Sequence, residues 1–145
     1  MRYAGKMKRV IVHSRGLRVT LDRSAIDRAF ARAYARRSTR ALARIQHAFA
    51  LNKTELGRLL GGVTRQAIDD WYAKGVPVNR VADVERIAGL AATLQRRFKP
   101  ERLPQIVRAP LPGLEGQSIV QALATRGVAP VLDMLERAFS YHPAA

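Results

Sequence analysis

Leu51-Asn-Lys-Thr-Glu-Leu-Gly-Arg-Leu-Leu-Gly-Gly-Val-Thr-Arg-Gln-Ala-Ile-Asp-Asp-Trp-Tyr-Ala-Lys-Gly75 is the stretch on which the fold turns. Asn52 or Thr54 can cap a first helix, because a short side-chain oxygen accepts from amides that a helix start leaves without partners. Leu56, Leu59 and Leu60 recur at helical spacing and give that helix an apolar stripe. Gly57 leaves room for a second helix to cross closely, and Gly61-Gly62 permit a sharp turn. Thr64 can cap the second helix. Ile68 and Trp71, three residues apart, then point to the core, while Arg65, Gln66 and Asp69 face outward from the first turns. Gly75 can end the helix. The stretch predicts two short helices joined by a tight turn.

Helical patterning continues on both sides. Upstream, Ser24-Ala-Ile-Asp27 has the spacing of a capping box, with Asp in place of Glu. Ile26, Phe30, Ala33, Tyr34, Ala41, Leu42, Ile45, Ala48 and Phe49 follow at three- and four-residue steps, and Ser38-Thr39 offers a new cap that would split this run in two. Residues 9–13 and 17–21 are short and β-branched, with Ser14-Arg15-Gly16 between them, and fit a short β-hairpin. Downstream, a helix is expected over Asn79–Phe98. Pro100, Pro104, Pro110 and Pro112 then read as a linker, since proline removes donors and stops helices. Short helices are expected around Ser118–Ala124 and Val128–Phe139. The fold class expected is all-α, with the N-terminal hairpin as its only β element. The organisation expected is a basic extension over residues 1–38, a helical domain over 39–99, a linker over 100–112 and a C-terminal unit over 113–145.

The chain has 145 residues and a net charge of +15, and it contains no Cys. That length can bury a core without staples, and the absence of Cys excludes disulfides, thiol catalysis and Cys-ligated zinc. There is no apolar run of membrane-spanning length and no secretory signal pattern, so a cytoplasmic protein without membrane partners is expected. The charge is uneven: residues 1–40 hold 12 basic and 2 acidic side chains, whereas residues 109–145 hold 2 and 3. Such a front is drawn to a polyanion, most economically nucleic acid, because cationic side chains release counterions condensed on phosphate. Arg28, Arg32, Arg36 and Arg40 fall on one helix face at four-residue spacing with no acid at i+4, and like charges repel there, which favours phosphate contact for them. His13, His47 and His142 are far apart, without metal-ligand spacing. The serines stand in turn or cap contexts, and no phosphate-binding glycine loop is present. Neither a cofactor nor an enzymatic activity is expected.

The paired helices, with Thr64, Ile68, Trp71 and the glycine turn, resemble the helix–turn–helix of the Xre (lambda-repressor-like) regulators. The resemblance implies that the second helix enters the major groove by its N-terminal half. It implies that Thr64 contacts phosphate and that Arg65 and Gln66 reach base edges, Arg preferring guanine and Gln adenine. Lys53 and Lys74 would be flanking phosphate contacts. Gly61-Gly62-Val63 makes the turn one residue longer than the family usually has. Asp69 and Asp70 occupy outward positions where a carboxylate is tolerated if it accepts from cytosine or faces away.

Residues 111–137 resemble the toxin-binding domain of the Xre/MbcA/ParS antitoxins. The shared pattern is Leu114-x-Gly116, a capped short helix ending in Ala122-Leu123, then Gly127, Val131-Leu132 and Leu135. Ile119 stands where the family usually has proline. The resemblance implies a type II antitoxin that binds a cognate toxin, commonly of the NAD-consuming RES class, and that represses its own operon as a homodimer on operator DNA in the nucleoid. Leu114, Gly116, Arg137, Phe139, Tyr141 and His142 are the toxin contacts it implies. Phe139 can equally be a core residue. Two other functions remain open at this point: a free-standing DNA-binding regulator from a phage or mobile element with no toxin partner, and RNA binding by the basic N-terminal arm.

Overall fold

The computed structural model describes residues 9–140, and its contacts divide the chain into two compact units, up to Arg37 and from Ser38 onward. The structure is mostly helical. In the first unit β1 (Arg9–Ser14) and β2 (Leu17–Asp22) pair antiparallel through a two-residue turn. Arg15 and Gly16 form that turn with φ of 49° and 79°. Positive φ at both positions matches the right-handed twist of the flanking strands. The helix α1 (Arg23–Phe49) follows directly. Its start is capped at Asp22, two residues before the Ser24 cap that the Ser24–Asp27 spacing predicts. The Asp22 carboxylate accepts from the Ser24 amide at 3.1 Å and from the Ser24 hydroxyl at 2.9 Å. In the part of α1 that lies in this unit no side chain is buried, and Phe30 is 71% exposed.

The second unit is built on the C-terminal half of α1. The helix does not break at Ser38-Thr39. Ser38 is 2% exposed, and its hydroxyl accepts from the Val76 amide at 3.1 Å. A tertiary bond therefore uses the oxygen that would have capped a new helix. The end of α1 is closed by Ala50 in the left-handed region at φ 50°, with Leu51 N–H donating to Gln46 and Ala50 N–H to His47. That is the Schellman pattern, made here without glycine.

α2 (Lys53–Leu59) and α3 (Arg65–Lys74) come next, then α4 (Val78–Arg97). Leu42, Ile45 and Phe49 of α1 share one apolar core with Leu56 and Leu59 of α2, Ile68 and Trp71 of α3, and Val84, Ile87, Ala91 and Leu94 of α4. The proline-rich stretch is not an extended connector. Residues 103–108 form α5 (Leu103–Arg108), with Leu103 and Val107 in the same core. Pro104 lies in the first turn of that helix, where its missing N–H would have had no helical partner anyway. A 3-10 turn over Pro112–Leu114 leads to α6 (Ile119–Arg126) and α7 (Val128–Ser140). Ser118 and Gln121 complete a reciprocal capping box at the start of α6, each donating a backbone N–H to the other's side chain at 3.1 Å. No helix among the described residues is long and apolar enough to cross a membrane.

Arg108 ties these pieces together. Its guanidinium donates to the Phe49 and Ala50 carbonyls at 2.7 and 2.9 Å, to the Pro104 carbonyl at 2.9 Å, and pairs with Glu55 at 3.3 Å. One side chain on α5 thus satisfies the open carbonyl end of α1 and clamps the first turn of α2.

Candidate functional site

The turn between α2 and α3 sets the direction of α3. Asn52 caps α2: its side chain accepts from the Glu55 amide at 2.8 Å and donates to the Glu55 carboxylate at 2.8 Å. Gly57 makes its close contact with the turn rather than with the crossing helix. A Cβ there would lie 1.9 Å from the Val63 carbonyl oxygen, whereas the nearest α3 atom, on Ile68, is 3.8 Å away. The Gly57 carbonyl also accepts from the Gly62 and Val63 amides at 3.0 and 2.9 Å. Gly61 and Gly62 both have φ near +90°, at 88° and 90°, and this lets the chain reverse in so few residues. Arg80 of α4 donates to the Leu60 carbonyl at 3.0 Å and holds the turn from outside. Arg80 and Arg108 were not among the sequence candidates, because both act across long sequence separations.

Thr64 caps α3, its hydroxyl accepting from the Ala67 amide at 3.1 Å. Ile68 and Trp71 bury the inner face, and Arg65, Gln66, Asp69 and Asp70 are exposed on the outer one. The amides of Arg65 and Gln66 open the helix, so backbone donors and the positive end of the helix dipole lie at the same end of α3 as the exposed Arg65. The Thr64 hydroxyl proton stays available to a further acceptor. Lys74 is exposed at the far end.

Lys53 and Asp69, expected as separate contacts, are bound to one another in an ion pair across α2 and α3. The hydrogen bond from Lys53, helped by its charge and that of Arg65, holds the Asp69 carboxyl below its usual range. The carboxylate that faces outward is therefore partly neutralised, and the ammonium expected on phosphate is already engaged. Lys53 also lies 6.0 Å from the Tyr72 ring centre. Tyr72 is half-buried, donates to the Gln46 side chain at 2.6 Å, and has its phenol pKa pushed up by burial.

Arg28, Arg32 and Arg36 lie along α1 in the first unit at four-residue spacing, all exposed. They belong to a different unit from α3.

The partner contacts implied for the C-terminal helices divide into three kinds. Leu114 is 1% exposed, so its side chain belongs to the core and is not presented to a partner. Gly116 and Arg137 are exposed. Phe139 is half-buried, with the Arg97 guanidinium 4.9 Å from its ring centre. It lines a groove of about 460 Å³ between α4 and α7, with Leu90, Arg97, Leu132 and Leu135. Tyr141 and His142 lie outside the described residues. The loop before α6 is braced by Arg126, which pairs with Glu115 at 2.7 Å and donates to Gln117 at 2.8 Å. Among the described residues no three or more His, Asp or Glu side chains gather where they could hold a metal ion.

Comparison with protein-family models gives no match to the chain, and comparison with curated proteins gives none either.

Proposed function

We propose that the chain is a DNA-binding type II antitoxin: a helix–turn–helix protein that represses its own operon and neutralises a toxin of the RES class through its C-terminal helices. The observation that carries the DNA half is the exposed outer face of α3. Thr64, Arg65 and Gln66 stand at its N-terminus over a buried Ile68–Trp71 face. A recognition helix reads bases by such residues while its inner face packs on the first helix. The carboxylates on that face count against tight binding, and the Lys53–Asp69 pair lessens this cost. A homodimer on a palindromic operator would supply two copies of α3, and the Arg28, Arg32 and Arg36 row would add phosphate contacts.

The toxin half rests on the sequence resemblance of residues 111–137. The groove along α4 and α7, with Phe139 at its edge, supports it. The protein would act by binding and perform no chemistry of its own.

Co-expression with the product of the neighbouring gene tests the antitoxin. Rescue of growth and copurification are expected. A harmless neighbour, or one that stays toxic beside this protein, refutes it. Operator binding without any such partner would instead support the free-standing regulator. For the DNA half, Arg65→Ala should cost about 1–3 kcal/mol on the selected operator and less on other duplexes. An equal loss on every duplex refutes base reading by α3.

A further inference from the structure

The β1–β2 hairpin is left unused by the reading helix, and its register sorts its side chains into two sets. Arg9 pairs with Asp22, Ile11 with Thr20 and His13 with Arg18, and side chains alternate across a strand, so these six share one face. All six are exposed, including Ile11 at 53%, and Arg15 is exposed at the tip. The one acid of the set, Asp22, lies in the pair farthest from the turn. There its carboxylate is already engaged by Ser24 at the start of α1. Toward the tip the face therefore carries Arg18, Arg15 and His13 without a carboxylate among them. At the centre of the face Ile11, beside Thr20, is left exposed among the described residues.

We infer that this ribbon face is a second base-reading element that enters the major groove of duplex DNA independently of α3. The inference rests on the DNA-binding reading of the protein and assigns a target to a part of the chain that reading leaves out. Three physical arguments carry it. A two-stranded antiparallel ribbon fits the major groove of B-form DNA, which is about 12 Å wide. The mixed chemistry of the face matches what that groove displays. Arg forks pair with guanine O6 and N7, Thr bonds either base type, and an exposed aliphatic group meets the thymine methyl. Ile11, 53% exposed between the charged ends of the face, is placed to meet an apolar group on the groove floor as well as phosphate-lined walls. Duplex RNA is disfavoured as the target because its major groove is deep and too narrow for side chains to read.

The test uses the full-length protein and double-stranded DNA selected by it from a random pool. Guanine N7 methylation interference then maps major-groove contacts on the selected duplex. The variants are Arg18→Lys, which keeps the charge and removes the fork, Arg9→Ala with Arg18→Ala, Ile11→Ser, and Arg65→Ala with Gln66→Ala on α3. Circular dichroism confirms that each is folded, as expected for exposed positions. The expected result is two separate blocks of interference. Ribbon variants abolish one block and lower affinity about tenfold per arginine, and the α3 variant abolishes the other. Four outcomes overturn the inference. The first is ribbon variants that leave affinity and interference unchanged. The second is an equal loss of affinity on all duplexes with the interference pattern intact, which means phosphate contact only. The third is full-length protein that binds structured RNA as tightly as the selected duplex, with the ribbon variants lowering both alike. The fourth is that no duplex is selected at all, and this last outcome alone also removes the DNA-binding reading.

Discussion

Replacing Gly57 by Ala sets two effects of opposite sign against each other. Gly57 lies inside α2, where Ala is the better helix former by about 1 kcal/mol. Propensity alone therefore predicts a more stable protein. The added Cβ, however, would stand 1.9 Å from the Val63 carbonyl oxygen, where ordinary contact begins at 3.4 Å, a shortfall of about 1.5 Å. The atom in the way is backbone, held in place by the Gly62 and Val63 amides that donate to the Gly57 carbonyl. Relieving the overlap moves the turn, and overpacking of this kind costs about 1–3 kcal/mol or more. The two turn hydrogen bonds are worth about 1 kcal/mol each if they are lost with it. The net expectation is a destabilisation of about 2–4 kcal/mol, or roughly 5–15 °C in Tm for a chain of this size. Gly89→Ala is the control. Gly89 lies within α4 with no atom within 4 Å of its added Cβ, so only the propensity effect remains. It should stabilise by about 1 kcal/mol. Thermal melts and urea titrations of both variants decide the matter. A Gly57→Ala protein as stable as wild type, or more so, would refute the account of the turn.

Asp69→Asn should release Lys53 and remove a carboxylate from the outer face of α3. Affinity for nonspecific duplex DNA should rise, and the slope of log K against log salt should steepen by about 0.9 as one more cation reaches phosphate. An unchanged slope would mean that Lys53 does not reach the backbone. Ser38→Ala leaves the buried Val76 amide without its acceptor and should cost about 1–3 kcal/mol in a urea titration, whereas a cost near zero would show that water replaces the hydroxyl. The raised Tyr72 pKa carries a sign for alkaline stability. Above pH 10 the unfolded chain releases this phenol proton more readily than the folded one, so stability should fall as pH rises toward the folded value. Tyr72→Phe should flatten that part of the pH profile, and an unaltered profile would place the effect on another group.

Local structure is legible in the sequence where a residue acts on its near neighbours. Asn52, Thr64 and Ser118 are caps because each bonds an amide three positions on, a relation visible in any window of four residues. Ile68 and Trp71 face inward for the same reason, since helical spacing alone decides it. What escaped was set by long-range contacts. Ser38 resembles a helix breaker until Val76, far along the chain, takes its hydroxyl. Lys53 and Asp69 look like independent surface charges, and only the crossing of α2 and α3 joins them. Four prolines within a short span concealed α5, because three of them lie outside it and the fourth occupies the one turn that tolerates it. Leu114 carries a motif that implies contact with a partner, yet the 3-10 turn folds its side chain into the core.

The reach of Arg108 has a thermodynamic consequence. It bridges α5 to the end of α1 and the start of α2, while Leu103 and Val107 complete the core that α3 rests on. Residues 38–140 therefore offer no seam at which a reading module could be cut from a partner-binding one and keep its fold. Any ligand that tightens or loosens the C-terminal helices acts on the support of α3. By reciprocity, whatever free energy one ligand contributes to the other's binding is returned in equal measure. A partner that weakens the hold on DNA would itself be weakened by DNA to the same factor.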